Sequence, residues 1–472
     1  MHQRIPWRRA RIVFLFCAAT GMLAAQTLVT LVNFTGINGA SPNYGALIQA
    51  TDGLLYGTTS HGGASGNGTI CKLTTHGTLT TIYNFCAQAN CTDGESPNAG
   101  LVQAANENFY GTTVLGGYAD RGTIYQLTLG GTLTTLHSFS GSDGMFPYAG
   151  LIQGADGDLY GTTEGGGANG YGTVFKIAPG GVLTTLHSFD GADGGHTYAG
   201  LIQTNDGYLY GTTSEGGTNG VGTVFNIAPN GEFTTLHNFT GTDGANPTAA
   251  LVQAKDGFLY GTTSSGGPGG NPCACYGTVF QMTPAGVLTV LTGFDKAGGT
   301  TPYAALIQAT DGNLYGTAFG IPAFPPATGI DGTIFKVAPN SPVTVVYNFG
   351  YSPYTGDPEA ALLQATDGNF YGTTLYGGTD QVDGTVFSLS TGLGPFVKTL
   401  PTAGAVGATI RILGTDLTGA SSVSFNGVGA TFSVVQPSEI VAVVPAGATT
   451  GTVQVTTPGG TLLSNPTFFV RQ

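Results

Sequence analysis

From Leu28 onward the chain is written in short stretches where apolar and polar residues alternate, separated by Gly, Asp-Gly, Gly-Gly or Pro. Alternation over roughly 4–8 residues is the signature of a half-buried strand, and no 3.6-residue period replaces it. Residues Ala149 to Phe189 are representative: AGLIQGADGDLYGTTEGGGANGYGTVFKIAPGGVLTTLHSF. The punctuation divides them into four strands, AGLIQ, DLYGTT, GTVFKI and LTTLHSF. Asp156-Gly157 is expected to form a two-residue type I′ hairpin turn, in which both central residues need φ > 0. A Gly-rich loop (Gly165 to Gly172) and a turn at Gly180-Gly181 supply the other two connections.

The same four-strand sentence recurs. Its tyrosine falls at Tyr56, Tyr110, Tyr160, Tyr210, Tyr260, Tyr315 and Tyr371, at intervals of 50 to 56 residues. Four antiparallel strands repeated every ~50 residues predict propeller blades. The L-T-T-L-x-x-F strand has a copy, Leu28 to Phe34, before the first blade, while the seventh repeat lacks one in the usual place. The pattern therefore predicts an all-β, seven-bladed propeller over residues 26–392, its ring closed by the N-terminal strand. A tyrosine present in every blade is needed by every blade, so these seven are expected in the core.

The motif set P-x-x-[AG]-L-[IV]-Q-x-x-D-G-x-[LF]-Y-G-T-T, G-T-V-F and L-x-x-L-x-x-F resembles the Gloeo/Verruco ("GloVer") tandem repeat of exported "choice-of-anchor" bacterial proteins. The resemblance implies a secreted, surface-type repeat protein of a family with no established enzymatic activity. After Leu393 the pattern stops, and residues 393–472 read as short strands broken by Gly, Pro and Asn426-Gly427. Their length and alternation suit a small β-sandwich. Through GATIRILGTDL, VSFNG, SEIVAVVPAG and GTVQVTTPGG they resemble the IPT/TIG immunoglobulin-like domain, which implies a spacer or interaction module.

Charge narrows the choice of partners. Residues 1–25 carry four arginines, an apolar run (Ile12 to Leu23) and Ala24-Ala25, the order of a secretory signal peptide. Its removal leaves nine basic against 26 acidic residues, a balance of −17. So acidic a chain repels nucleic acid and anionic lipid. No later stretch is apolar over the ~20 residues that a membrane span needs. The expected location is therefore outside the cytoplasm: secreted, periplasmic or on the cell surface. The Gly-rich loops lack a phosphate-loop Lys and open no helix, which excludes a nucleotide.

Candidate chemistry sits where blades differ. The residue three before the first Leu of each innermost strand reads Tyr44, Asn98, Tyr148, Tyr198, Thr248, Tyr303 and Glu359. Four tyrosines around a channel mouth offer stacking faces and hydroxyls to a sugar; the bland alternative packs them on the adjacent Pro. Asp143, Asp193 and Asp243 are candidate acceptors in the same loops. Oxygen-rich loops also suit Ca²⁺, but no calcium motif is present, and no cofactor is expected. His137, His187 and His237 share one register and read as strand-surface or interblade residues. Glu164, Glu215 and Glu359 are the carboxylates that a polysaccharide-active enzyme would use. Cys86 and Cys91, and Cys273 and Cys275, are possible disulfides in an exported protein, and Cys71 is expected as a buried free thiol. The reading is a non-catalytic repeat protein that binds an extracellular glycan or surface protein through the long-loop face. The alternatives are a polysaccharide hydrolase or lyase, and a purely structural envelope component.

Overall fold

The computed structural model describes residues 26–43, 45–268, 276–294, 299–320, 332–338, 341–350, 356–379, 382–465 and 467–471. The expected leader, Tyr44, Cys273 and Cys275 lie outside the described residues. Seven four-stranded antiparallel sheets follow one another, and each has the strand order that the alternation predicts. In the third they are Ile152–Gln153, Leu159–Thr163, Thr173–Ile177 and Leu183–Ser188. The seventh takes its outer strand from the other end of the chain: Thr27–Asn33 pairs antiparallel with Thr385–Ser390. No helix among the described residues is long and apolar enough to cross a membrane.

Each residue of the repeated octet has a distinct job. In D-G-D-L-Y-G-T-T, the Tyr160 hydroxyl donates to Asp156 Oδ2 at 2.6 Å, while Asp156 Oδ1 accepts from the Asp158 amide at 3.2 Å. The expected type I′ turn does not form, because only Gly157 has positive φ (+91°) and Asp156 does not. The aspartate is there for its side chain, which caps the turn and clamps the tyrosine. By contrast, Asn426 and Gly427 of the tail are both left-handed, as a type I′ turn demands. Gly161 must be a glycine because an added Cβ would lie 2.6 Å from Phe175 Cζ and 2.7 Å from Leu151 Cδ2. Thr162 Oγ1 donates to the Ala199 carbonyl of the next blade, and Thr163 Oγ1 shares a hydrogen bond with Thr173 Oγ1.

Blades meet through two layers. The seven tyrosines are at most 3% exposed and pack with the next blade's aromatic and aliphatic residues, as Tyr56 does on Phe109 at 4.4 Å. Nearer the axis, the Gln of L-[IV]-Q joins neighbours. Gln203 Oε1 accepts from the Ala155 amide of the preceding blade, and its Nε2 donates to the Gly207 carbonyl of its own turn. The same amide-to-Oε1 bond recurs at Gln49, Gln103, Gln153, Gln308 and Gln364. Sequence reading missed this belt, because a Gln at the end of a strand reads as one more polar position.

The tail forms two four-stranded sheets and a two-stranded one over a core that includes Ile410, Ile412, Phe425, Ile440, Val455 and Phe468. It docks on the tight-turn side of the propeller. Gln436 Nε2 and Ser438 Oγ donate to the Thr51 carbonyl, Asn465 Nδ2 to Gln308, and an Arg471 nitrogen to Ala155. The octet that departs at its Asp-Gly pair, NENFYGTT, is explained here. Glu107 occupies the glycine position at φ +69° despite the strain, and its carboxylate pairs with Arg411 of the sandwich. Arg411 also pairs with Glu439, whose side chain is 4% exposed.

Three expectations follow. Arg411→Ala strands the buried Glu439 carboxylate and is expected to cost about 3 kcal/mol, whereas Glu107→Ala, on an exposed partner, costs less than about 1 kcal/mol. Denaturant unfolding of the two variants checks the contrast. Tyr160→Phe removes one hydrogen bond and leaves Asp156 half-satisfied, for about 1 kcal/mol; Tyr160→Ala opens a cavity, for about 3–5 kcal/mol. Cys71 is free and fully buried, and burial pushes its thiol pKa up to about 12. Alkylation followed by peptide mass spectrometry should leave Cys71 unmodified until the protein is unfolded.

Candidate functional site

The long-loop face is organised by a three-residue entry to each innermost strand: S-P-N, S-P-N, F-P-Y, H-T-Y, N-P-T, T-P-Y and D-P-E. The first residue is left-handed in all seven blades, with φ between +51° and +57°, and never glycine. Non-glycine residues rarely adopt this conformation, and a site that holds it must over-determine it. The backbone does so by bridging two blades. The His196 amide donates to the Tyr171 carbonyl of one blade, and the His196 carbonyl accepts from the Ser214 amide of the next. Architecture therefore fixes the backbone, while the side chain is free to differ from blade to blade.

In the last five entries the third residue faces the channel. Tyr148, Tyr198, Thr248, Tyr303 and Glu359 line a depression of about 550 Å³ whose remaining wall is Ala, Gly, Leu and Ile. Tyr148 and Tyr198 sit side by side, ring centroids 5.2 Å apart and planes tilted by 50°, and Tyr198 remains 40% exposed. They lean on each other as a pair. Thr248 Oγ1 is buried here without a hydrogen-bond partner among the described residues.

Beside the tyrosine pair lies a polar group that sequence reading did not assemble. His196 Nδ1 hydrogen-bonds Glu164 Oε1 at 2.8 Å, and its Nε2 is 4.0 Å from Glu215 Oε2. The Tyr198 hydroxyl reaches the same Glu164 oxygen at 3.5 Å, and Tyr171 packs edge-on against the His196 ring at 5.8 Å. Burial and Glu164 push the Tyr198 phenol up to about 12, so it stays a hydrogen-bond donor at neutral pH. Glu359 is 9% exposed, and burial reinforced by Asp357 pushes its carboxyl up to about 7. The only legible signal for the His196 group was its departure from Pro in H-T-Y.

The loop aspartates are drawn into their own blades. Asp143 Oδ2 bonds His137 Nε2 at 2.8 Å, and its Oδ1 accepts from the amide and hydroxyl of Ser140. Burial works against the Asp143 charge, but these hydrogen bonds outweigh it and hold the carboxyl below the ordinary range. Asp193 and Asp243 repeat the arrangement with His187 and His237, and Asp93 does so with Tyr83. The spacing H-x-x-x-x-x-D was the signal for these pairs. The oxygens of the three aspartates, expected as acceptors at the mouth, close the loop that leads to the next blade. Cys86 and Cys91 form a disulfide in the longest of these loops. Among the described residues, the single His/Cys/Asp/Glu trio close enough to share a metal ion is Cys86, Cys91 and Glu95, whose two sulfurs are bonded to each other.

No curated protein matches the chain. Among solved structures it is similar to the extracellular domain of a hybrid two-component system from B. thetaiotaomicron, at 10% identity and a TM-score of 0.48. That match covers 94% of this chain and 57% of the other, so the chain spans little more than half its length. A gluconolactonase from Xanthomonas campestris matches at 16% identity and a TM-score of 0.39, over 63% of this chain and 88% of the other. A luciferin-regenerating enzyme matches at 12% identity and 0.38, over 61% and 89%. Likeness this distant passes no activity to the chain. The family models are more specific: the IPT/TIG domain matches residues 395–470, and the Gloeobacter/Verrucomicrobia repeat matches residues 86–273 and 273–420. With two tandem matches across most of its length, the chain belongs to the Gloeobacter/Verrucomicrobia repeat family.

Proposed function

We propose that this is an exported, non-catalytic binding module that takes a saccharide from an extracellular polymer at the mouth of the propeller channel. The observation that carries the reading is the Tyr148–Tyr198 pair, held half-exposed over a depression otherwise walled by small apolar residues. Aromatic faces bury the C–H faces of a pyranose, and a few convergent polar groups fix its orientation. Glu164, the Tyr198 hydroxyl and Thr248 supply those groups. The cluster is asymmetric, since no other blade repeats the combination Y-A-G with H-T-Y and Glu164. This favours one site per ring over seven equivalent ones.

A hydrolase would need two carboxylates flanking the scissile bond. The described wall of the depression holds Glu359 alone, with Glu164 and Glu215 engaged at the rim by His196. Co-sedimentation with a panel of insoluble polysaccharides tests the reading. At least one polymer should retain the protein without release of reducing sugar, and Tyr148→Ala or Tyr198→Ala should weaken retention about tenfold, in line with the loss of a stacking face. Release of reducing sugar, or unchanged retention by both variants, would contradict it.

A further inference from the structure

We infer that the saccharide taken at the mouth carries a cationic nitrogen, and that Glu359 is its anionic partner; this rests on the saccharide reading above. Glu359 occupies, in the last blade, the channel-facing position that other blades fill with Tyr or Thr. Its side chain lines the depression, is 9% exposed, and makes no hydrogen bond or ion pair among the described residues. A buried carboxylate without a partner is costly, and it becomes favourable when a cation or a set of donors arrives.

Three further features select a cation. The described wall of the depression contains no Lys, Arg or His that would compete for the carboxylate. Its aromatic residues are Tyr148, Tyr198 and Tyr303, whose electron-rich faces attract ammonium groups. Asp357 lies close enough to add negative charge to Glu359, and Tyr303 feels Glu359 in turn. At the rim stand Glu164 and Glu215 with His196 between them. The surrounding chain is acidic as well, so uronic or sulfated sugars are repelled and cationic ones are drawn in.

The test is calorimetric titration of the full chain with two glucosamine trisaccharides, one N-trimethylated and one N-acetylated. The first bears a fixed positive charge; the second is neutral. At pH 8 the cationic sugar should bind at least tenfold more tightly, and Glu359→Gln should abolish that preference. A cation favours the ionised carboxylate. Because the Glu359 pKa is raised to about 7, cationic binding should therefore weaken about tenfold between pH 8 and pH 6, with no such slope in Glu359→Gln. Equal binding, or a preference for the acetylated sugar, overturns the inference and leaves the saccharide reading standing. Binding of neither overturns the inference, and if the polysaccharide panel also retains nothing, the saccharide reading falls with it.

Discussion

The ladder between Thr27–Asn33 and Thr385–Ser390 is the bond on which the rest of the ring depends. Every other blade is built from consecutive strands and could form locally. The seventh cannot, because its outer strand is separated from its neighbour by almost the whole propeller. Closure gives the last blade the outer strand that it would otherwise lack. It also fixes the circumference, and with it the spacing of the seven entries that line the channel mouth. Strand by strand the register is ordinary; its importance comes from what it joins.

Within the closed ring, repetition and variation divide the work. The clamp of Asp156 on Tyr160, the Gly161 contact beneath Phe175 and the amide belt through Gln203 are needed at every junction. Where one copy departs from the rule, a second demand explains it. Glu107 accepts a left-handed backbone because its carboxylate meets Arg411 of the docked sandwich. The three-residue entries invert this logic: their first residues share an unusual φ and differ in chemistry. A fixed backbone that presents unlike side chains at one mouth is a scaffold for recognition, and the sandwich, docked at the tight-turn side, leaves that mouth facing away from it.

The fold was legible in the sequence to an unusual extent, because seven copies separate what architecture requires from what it tolerates. Blade count, closure by Leu28 to Phe34 and the burial of Cys71 could all be read from the repeated strings. Side-chain roles within a repeat were harder. Asp-Gly suggested a type I′ turn, since the pair has that preference on its own; the carboxylate's bond to Tyr160 depends on a residue four positions on and facing inward. The pairing of His187 with Asp193 lay in a spacing that no metal or catalytic motif uses. The group of Glu164, His196 and Glu215 could not be found by spacing at all. Its members come from different loops, and only the stacking of neighbouring blades brings them together.

The central claim is that one asymmetric patch, built on a symmetric ring, does the binding. Its most direct test is the stoichiometry of saccharide binding to the full chain, measured by calorimetry with a short oligosaccharide cut from whichever polymer retains the protein. The account predicts one molecule bound per chain, lost when Tyr148 and Tyr198 are both replaced by Ala. Several equivalent sites per chain, insensitive to that double substitution, would contradict it.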